Sequence, residues 1–334
     1  MLCRNGGRDA ARAVRLGSLI HAGISPPAAA ISFLLHPARA ATVSSRVLKR
    51  GKTPVQFPGW PQILDVVRTH LRIEVDGAAL AQGNSLEVLD ALHEKFPDGC
   101  FDCIFADPPY FLSNGGITCH AGKMVKVDKG DWDKSKGPEL NHEFNTEWLR
   151  RCQRVLKPNG TIWVTGTHHV IFSVGYAMQQ LGMKILNDIA WEKPNPPPNL
   201  SCRYFTHSTE TLLWAAKDED SRHVFNYQLM REQAGGKQMK TVWRLKSPAT
   251  AEKKHGKHPT QKPLALIERC LLASTQAGDF VLDPFAGGGT TAVACIRAKR
   301  HGLGIEWEAK HVELAARRLE QAGGPDQLPL ATKD

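Results

Sequence analysis

From Leu71 to Leu319, short apolar runs alternate with amphipathic stretches, and no other feature restricts the fold of this chain as strongly. Residues 101–106, 161–165, 185–191, 210–215, 280–282 and 302–305 have the length and apolar content of buried strands. Residues 85–93, 144–156, 263–274, 290–299 and 309–319 have the helical period. Strands joined through helices pair in parallel, with helices packed on the faces of the sheet. The pattern therefore predicts an α/β fold with a doubly wound, mainly parallel sheet.

Two segments depart from this rhythm. Residues 1–55 are rich in Ala, Arg, Ser and Pro and lack a periodic apolar face, so they are expected to be a disordered basic extension. They hold most of the charge: residues 1–60 carry a net +8 of the +10 of the whole chain. Whole-chain basicity therefore says little about the folded body. The second segment, 195–257, follows a break at Pro194, Pro196, Pro197 and Pro198, and beyond 218 it is polar, basic and weakly periodic. With Lys237, Lys240, Arg244, Lys246, Lys253, Lys254 and Lys257, and Lys262 just beyond, interleaved with Trp243, His255 and His258, it is a candidate contact for a polyanion. The expected organisation is an extension at 1–55, one half at 70–194, an inserted region at 195–257, a second half at 258–322 and a tail at 323–334.

Composition excludes several classes. At 42% apolar and 23% charged residues, the chain is neither collagenous nor mostly disordered, and no window has the roughly 18 uninterrupted apolar residues of a membrane span. Eight scattered cysteines fit a reducing cytoplasm better than a disulfide scaffold. Cys100 and Cys103 form a single Cys-x-x-Cys with no second pair at zinc spacing, so no metal is expected.

Two strand ends carry chemistry. Asp283-Pro284-Phe285-Ala286-Gly287-Gly288-Gly289-Thr290-Thr291 runs from a strand through a glycine turn into a helix, where a ligand can approach the backbone closely. Glu306 ends the next strand 19 residues after Gly287, the place of the acid that grips a ribose diol in doubly wound folds. The spacing is not that of a dinucleotide fingerprint, and Asp283 would repel a pyrophosphate. An adenosine ligand is expected rather than a nicotinamide dinucleotide, which argues against a dehydrogenase.

The other strand end is Asp107-Pro108-Pro109-Tyr110. Two prolines remove two backbone donors, so the loop presents acceptors, a carboxylate and a carbonyl, beside an aromatic ring. Such a site suits a planar amine.

Together the two motifs resemble the D-P-P-Y and F-x-G-x-G signatures (here Phe285, Gly287 and Gly289) of the S-adenosylmethionine-dependent amino methyltransferases of DNA. Their order, and His258-Pro259-Thr260-Gln261-Lys262-Pro263 between them, is similar to that of the β group. The stretches ADPPYFLSNGGI and ILNDIAWEKPNPPPNLSCRYFTHSTETLLWA are similar to adenine methyltransferases of restriction-modification systems. One departure is Gly83-Asn84, where the family commonly has Gly-Asp; an amide can serve the same adenine edge.

The resemblance implies a Rossmann-like methyltransferase sheet with a circularly permuted motif order. It implies methyl transfer from S-adenosylmethionine to the N6 amine of adenine in a short DNA sequence, with GATC as the implied site and GANTC or another short adenine-containing site as the alternative. N4-cytosine methylation and a catalytically silent DNA-binding partner are the alternatives. Asp107 and the Pro108 carbonyl are expected to receive the amine, with Pro109 fixing the loop. Tyr110 is expected to stack on a base flipped out of the duplex, because the amine is otherwise out of reach. Asn84, Asp107, Thr260, Lys262, Asp283, Phe285, Ala286, Gly287, Gly289, Thr290 and Glu306 are expected around the cofactor, with Thr260 and Lys262 on its methionine carboxylate. Arg203, Arg231 and Arg244 are the candidates for base edges, and Lys237, Lys240, Lys246, Lys253 and Lys254 for phosphates. The partner is double-stranded DNA, with single-stranded DNA as the alternative, and the protein is a monomer or homodimer.

Overall fold

The computed structural model divides the chain into two units, Met1–Thr53 and Pro54–Asp334, and all described residues belong to the second. It describes residues 55–113, 117–120, 123–126, 133–256 and 258–323. The extension expected over 1–55, apart from Val55, and the tail beyond 323 lie outside them, as do Lys257, Asp131 and Trp132.

A helix, α1 (Trp60–Val66), precedes a hairpin of β1 (Leu71–Val75) and β2 (Ala78–Gln82). The sequence pattern alone does not reveal this hairpin, although its signal is present: Asp76 and Gly77 both have positive φ, the requirement of a two-residue turn whose twist matches its strands. The chain continues through α2 (Ser85–Lys95), β3 (Phe101–Ala106) and a separate two-stranded ribbon of β4 (Ile117–His120) and β5 (Lys123–Lys126). Then come α3 (Pro138–Val155), β6 (Leu156–Gly166), α4 (Ile171–Gln180), β7 (Lys184–Glu192), β8 (Thr209–Ala216), α5 (Tyr227–Gln233) and β9 (Val242–Arg244). The last elements are α6 (Leu264–Ser274), β10 (Phe280–Asp283), α7 (Thr290–Ala298), β11 (His301–Glu306) and α8 (Ala309–Ala322).

Nine strands form one sheet in the order β1-β2-β11-β10-β3-β6-β8-β7-β9. Its centre, from β2 to β6, is parallel, whereas β8 runs antiparallel to both β6 and β7. Side chains alternate across it as the pleat requires. On β3, Ile104 and Ala106 join the core beneath α2, α3 and α4, while Cys103 and Phe105 join the core beneath α6. Cys100 and Cys103 thus enter opposite cores, and burial pushes both thiols up to about 12, which accounts for the Cys-x-x-Cys as packing.

Two differences from the sequence reading have physical causes. The helix expected at 144–156 begins at Pro138, whose ring is preset for a first turn and which follows Gly137 at φ 104°. The stretch 218–257, expected as a weakly periodic insertion rather than sheet, contributes β9 to the main sheet, whereas β8 is the strand expected at 210–215. Trp243, read as part of a basic contact surface, is instead buried against Trp163, itself stacked on Trp214 at 4.8 Å. Three residues of strand, set between Lys240 and Lys246, are too few to reveal a period, so β9 is invisible in the sequence.

Among the described residues, no helix is long and apolar enough to cross a membrane, and no group of three or more His, Cys, Asp or Glu is arranged to hold a metal ion.

Candidate active site

β10 and β3 are neighbours although 176 residues separate Asp107 from Asp283. Their parallel register sets Leu282 beside Ile104, so both motifs leave the sheet at the same edge, where ligands bind in open α/β sheets. Both line one cavity of about 800 Å³.

The glycine turn forms one wall. Gly287 and Gly289 have φ of 50° and 72°, a region that favours glycine, and a Cβ at Gly289 would stand 2.7 Å from that of Ala315. Glu306 pins the turn: one carboxylate oxygen accepts the Gly287 N–H at 2.7 Å and the other the Glu308 N–H at 2.8 Å. Burial works against its charge, yet His311 and these two donors hold its pKa below the usual carboxylate range. Asp283 accepts the Thr291 hydroxyl and the Phe285 N–H, and burial pushes its carboxyl up to about 7. The Ala286 N–H bonds Ile305, and Thr290 opens α7 with its hydroxyl 3.0 Å from Arg318. Asn84 also lines the cavity, where its side chain caps α2 by accepting the Leu86 N–H. Ser85 beside it donates to the Pro284 carbonyl and so ties α2 to the glycine turn.

The opposite wall is a buried network of charges. Asp107 accepts Thr165 at 2.6 Å and the Tyr110 hydroxyl at 2.8 Å on one oxygen, and Lys262 at 2.7 Å on the other. Lys262 also lies 3.7 Å from Glu210, which Lys193 binds as well. Burial opposes the charge on Lys262, but Asp107 and Glu210 hold its pKa above the usual lysine range. Tyr110 is pushed well up by burial and by the same two carboxylates. Lys262, expected on the cofactor carboxylate, is thus the ion-pair partner of Asp107, while Thr260 bonds His258, whose own pKa burial lowers to about 4.

Asp133 explains how the Asp-Pro-Pro-Tyr loop keeps its shape. Its carboxylate accepts the backbone N–H groups of Tyr110, Phe111 and Leu112 and the Ser113 hydroxyl, at 2.8 to 3.2 Å. The prolines leave no donors before Tyr110, so all three N–H groups that follow converge on this one carboxylate, and Phe111 is held at φ 58°. Asp133→Ala is expected to lower the single-turnover rate at least about tenfold, since it strands buried donors worth about 1–3 kcal/mol each. Cofactor affinity, measured by calorimetry, is expected to change less than threefold. Nothing in the sequence links residue 133 to residue 110; the signal lies only in the fold.

Residues 101–317 match the family model described as DNA methylase. The chain belongs to the DNA methylase family. It is 58% identical over 227 residues to the type II methyltransferase M2.DpnII of Streptococcus pneumoniae, covering 68% of this chain and 85% of that protein. It is 49% identical over 240 residues to M2.MboI of Moraxella bovis, covering 72% and 86%. Among solved structures it is similar to the M1.HpyAVI–SAM complex, with 27% identity, a TM-score of 0.55 and coverage of 72% of this chain and 98% of that one. The PvuII cytosine-N4-specific methyltransferase shares the fold at 18% identity and a TM-score of 0.58, covering 76% and 95%. This protein is a DNA methyltransferase with a Rossmann-like sheet.

The candidate DNA-binding residues of the methylase lie on loops, on α5, at the end of β9 and around a short 3-10 turn. Arg203 lies in the 193–208 loop, which leaves β7 and enters β8 at the cavity edge and holds no acid. Beside it Tyr204 and Phe205 are 62% and 97% exposed, a feature the sequence reading missed. Arg244 ends β9 opposite Glu192 at the same edge and is exposed. Arg231 is on α5, which begins where Asn226 bonds the far end of α6, and its guanidinium donates to the Gly236 carbonyl. Lys237, Lys240, Lys246 and Lys254 are exposed and Lys253 is half-buried beside a short 3-10 turn, Ala251–Lys253.

Proposed function

We propose that this methylase transfers a methyl group from S-adenosylmethionine to the N6 amine of adenine in GATC. The observation that carries the reading is the meeting of Asp107 and Asp283 on the walls of one cavity. The likeness to the M2 enzymes of the DpnII and MboI systems fits GATC and a place in restriction-modification.

The glycine-turn wall fits a cationic adenosine ligand. The two oxygens of Glu306 each accept one N–H and keep a lone pair for a ribose hydroxyl. Among the described residues, buried Asp283 has no cationic partner in hydrogen-bond contact, and the side-chain oxygen of Gln261, lining the same cavity, has no donor. Asn84, Phe285 and Ala286 shape the adenine side, and Gly287, Gly289 and Thr290 allow close approach. When bound, S-adenosylmethionine supplies a methyl group already activated by its sulfonium charge.

On the facing wall, Asp107 and the Pro108 carbonyl receive the N–H groups of the amine, with Pro109 holding the loop. This directs the nitrogen lone pair, otherwise delocalised into the ring, toward the cofactor side. Positioning and electrostatics of this kind supply most of such a rate. Tyr110 lines the cavity as the ring against which the flipped base stacks, worth roughly 1–3 kcal/mol.

The 193–208 loop and the end of β9 face the duplex in this reading, with Arg203 and Arg244 toward base edges and the lysines toward phosphates. Arg231, on an element that starts at the opposite end, is the least suited of the three arginines. Modified bases are to be mapped by position in DNA from a methylation-free host that expresses the chain. N6-methyladenine confined to GATC is expected, and N4-methylcytosine or another site would overturn the reading. In the same assay Arg203→Ala or Arg244→Ala is expected to relax one base position at a cost of about 1–3 kcal/mol. Lys246→Ala is expected to weaken all sequences alike and to flatten the salt dependence.

A further inference from the structure

The acceptor that the reaction needs is already in use. Asp107 takes three donors, Lys262, Thr165 and Tyr110, so an incoming amine meets a carboxylate with about one of its four acceptor positions left. Two of these donors stand between two carboxylates. Lys262 is 2.7 Å from Asp107 and 3.7 Å from Glu210; the Tyr110 hydroxyl is 2.8 Å from Asp107 and 3.3 Å from the same Glu210 oxygen. A shift of less than about 1 Å moves either donor across.

We propose that Glu210 is a positioning residue that receives Lys262 and the Tyr110 hydroxyl when the target amine takes their place on Asp107. This rests on the reading that Asp107 accepts the amine. Glu210 sits at the start of β8, the strand antiparallel to β6, two residues before Leu212, the partner of Thr165, and the Tyr110 hydroxyl reaches both Thr165 and Glu210. Its side chain is only 11% exposed and Lys262 5%, so water is a poor substitute for either partner. A buried ammonium stripped of its counter-ion is costly, and a second carboxylate within reach removes that cost. Lys193 holds the other oxygen of Glu210, so two cations and two anions remain balanced in either arrangement. Glu210 itself keeps its charge: burial opposes it, but Lys262 and Lys193 hold its pKa below the usual range.

The test is a mutant cycle on the full-length chain with a GATC duplex, read as single-turnover rate, with cofactor affinity by calorimetry. Glu210→Gln is expected to slow methyl transfer about tenfold to a hundredfold, leaving cofactor affinity within about twofold, because Lys262 is then locked on Asp107. In a Lys262→Met background the same change is expected to cost less than about threefold, since no charge then has to be received. Glu210→Asp keeps the charge, and so the fold, but draws the oxygens back by one methylene. It is expected to lose about threefold to tenfold and to regain that loss with Lys262→Met. Equal losses in both backgrounds, or a Glu210→Gln enzyme within about twofold of wild type, would overturn the proposal. So would a Lys262→Met enzyme with no turnover, because Lys262 would then be required in place rather than displaced. An active Asp107→Ala enzyme would instead overturn the underlying reading, whatever the cycle gives.

Discussion

Replacing Asp107 by alanine is expected to lower the single-turnover methylation rate by at least about a hundredfold, the scale seen when one preorganised hydrogen-bonding group is removed from a reacting centre. Three donors converge on this carboxylate, which lines the cavity at the end of β3. Lys262 would turn to Glu210, 3.7 Å away, so the change is expected to leave a folded protein. Cofactor affinity is expected to stay within about threefold, because the ribose and adenine contacts lie on the other wall. A rate above about a tenth of wild type, equivalent to a barrier change of only about 1.4 kcal/mol, would contradict the role given to Asp107. Asp107→Asn separates charge from shape: it keeps an acceptor oxygen but leaves Lys262 with Glu210 alone, so an intermediate rate is expected.

The second large effect is expected at Glu306. Its alanine variant loses the acceptor of a ribose hydroxyl, a charged hydrogen bond worth roughly 1.5–3 kcal/mol, so calorimetry is expected to show cofactor binding at least about tenfold weaker. The same carboxylate also holds the Gly287 and Glu308 N–H groups, so the glycine turn loosens as well. Glu306→Gln distinguishes the two effects. An amide oxygen can still accept one N–H, so most of the thermal stability is expected to return while the affinity does not. If affinity recovers together with stability, Glu306 acts through the turn alone and the diol is held elsewhere.

The two walls differ in how far they are legible in the sequence, and the reason is distance along the chain. The glycine-turn wall is local. Asp283, Gly287, Gly289 and Thr290 are consecutive parts of one strand, turn and helix, and Glu306 ends the next strand, so backbone needs and side-chain chemistry are written within 24 residues. Asp107-Pro108-Pro109-Tyr110 is legible for the same reason: two prolines state by themselves that the loop offers acceptors.

The charged wall is assembled from β6, β8, the residues that directly follow β3 and β7, and the loop before α6. Thr165, Lys193, Glu210 and Lys262 reach Asp107 or one another only because the sheet order sets β3 next to β6, β6 next to β8 and β8 next to β7. No spacing rule connects them. Lys262 shows the consequence: its motif suggests an anion-binding lysine, and the fold decides that the anion it meets is Asp107.

Hydrophobic period and turn residues therefore determined the α/β class and the position of both motifs, since these follow from neighbours within a few residues. Tertiary structure alone decided which buried charges face each other. It also decided that Trp243 packs into the core rather than facing DNA, and that Asp133 holds a loop 23 residues away. Burial turns each of these into a strong constraint, because a charge or donor shut away from water must find its partner wherever the fold has put one.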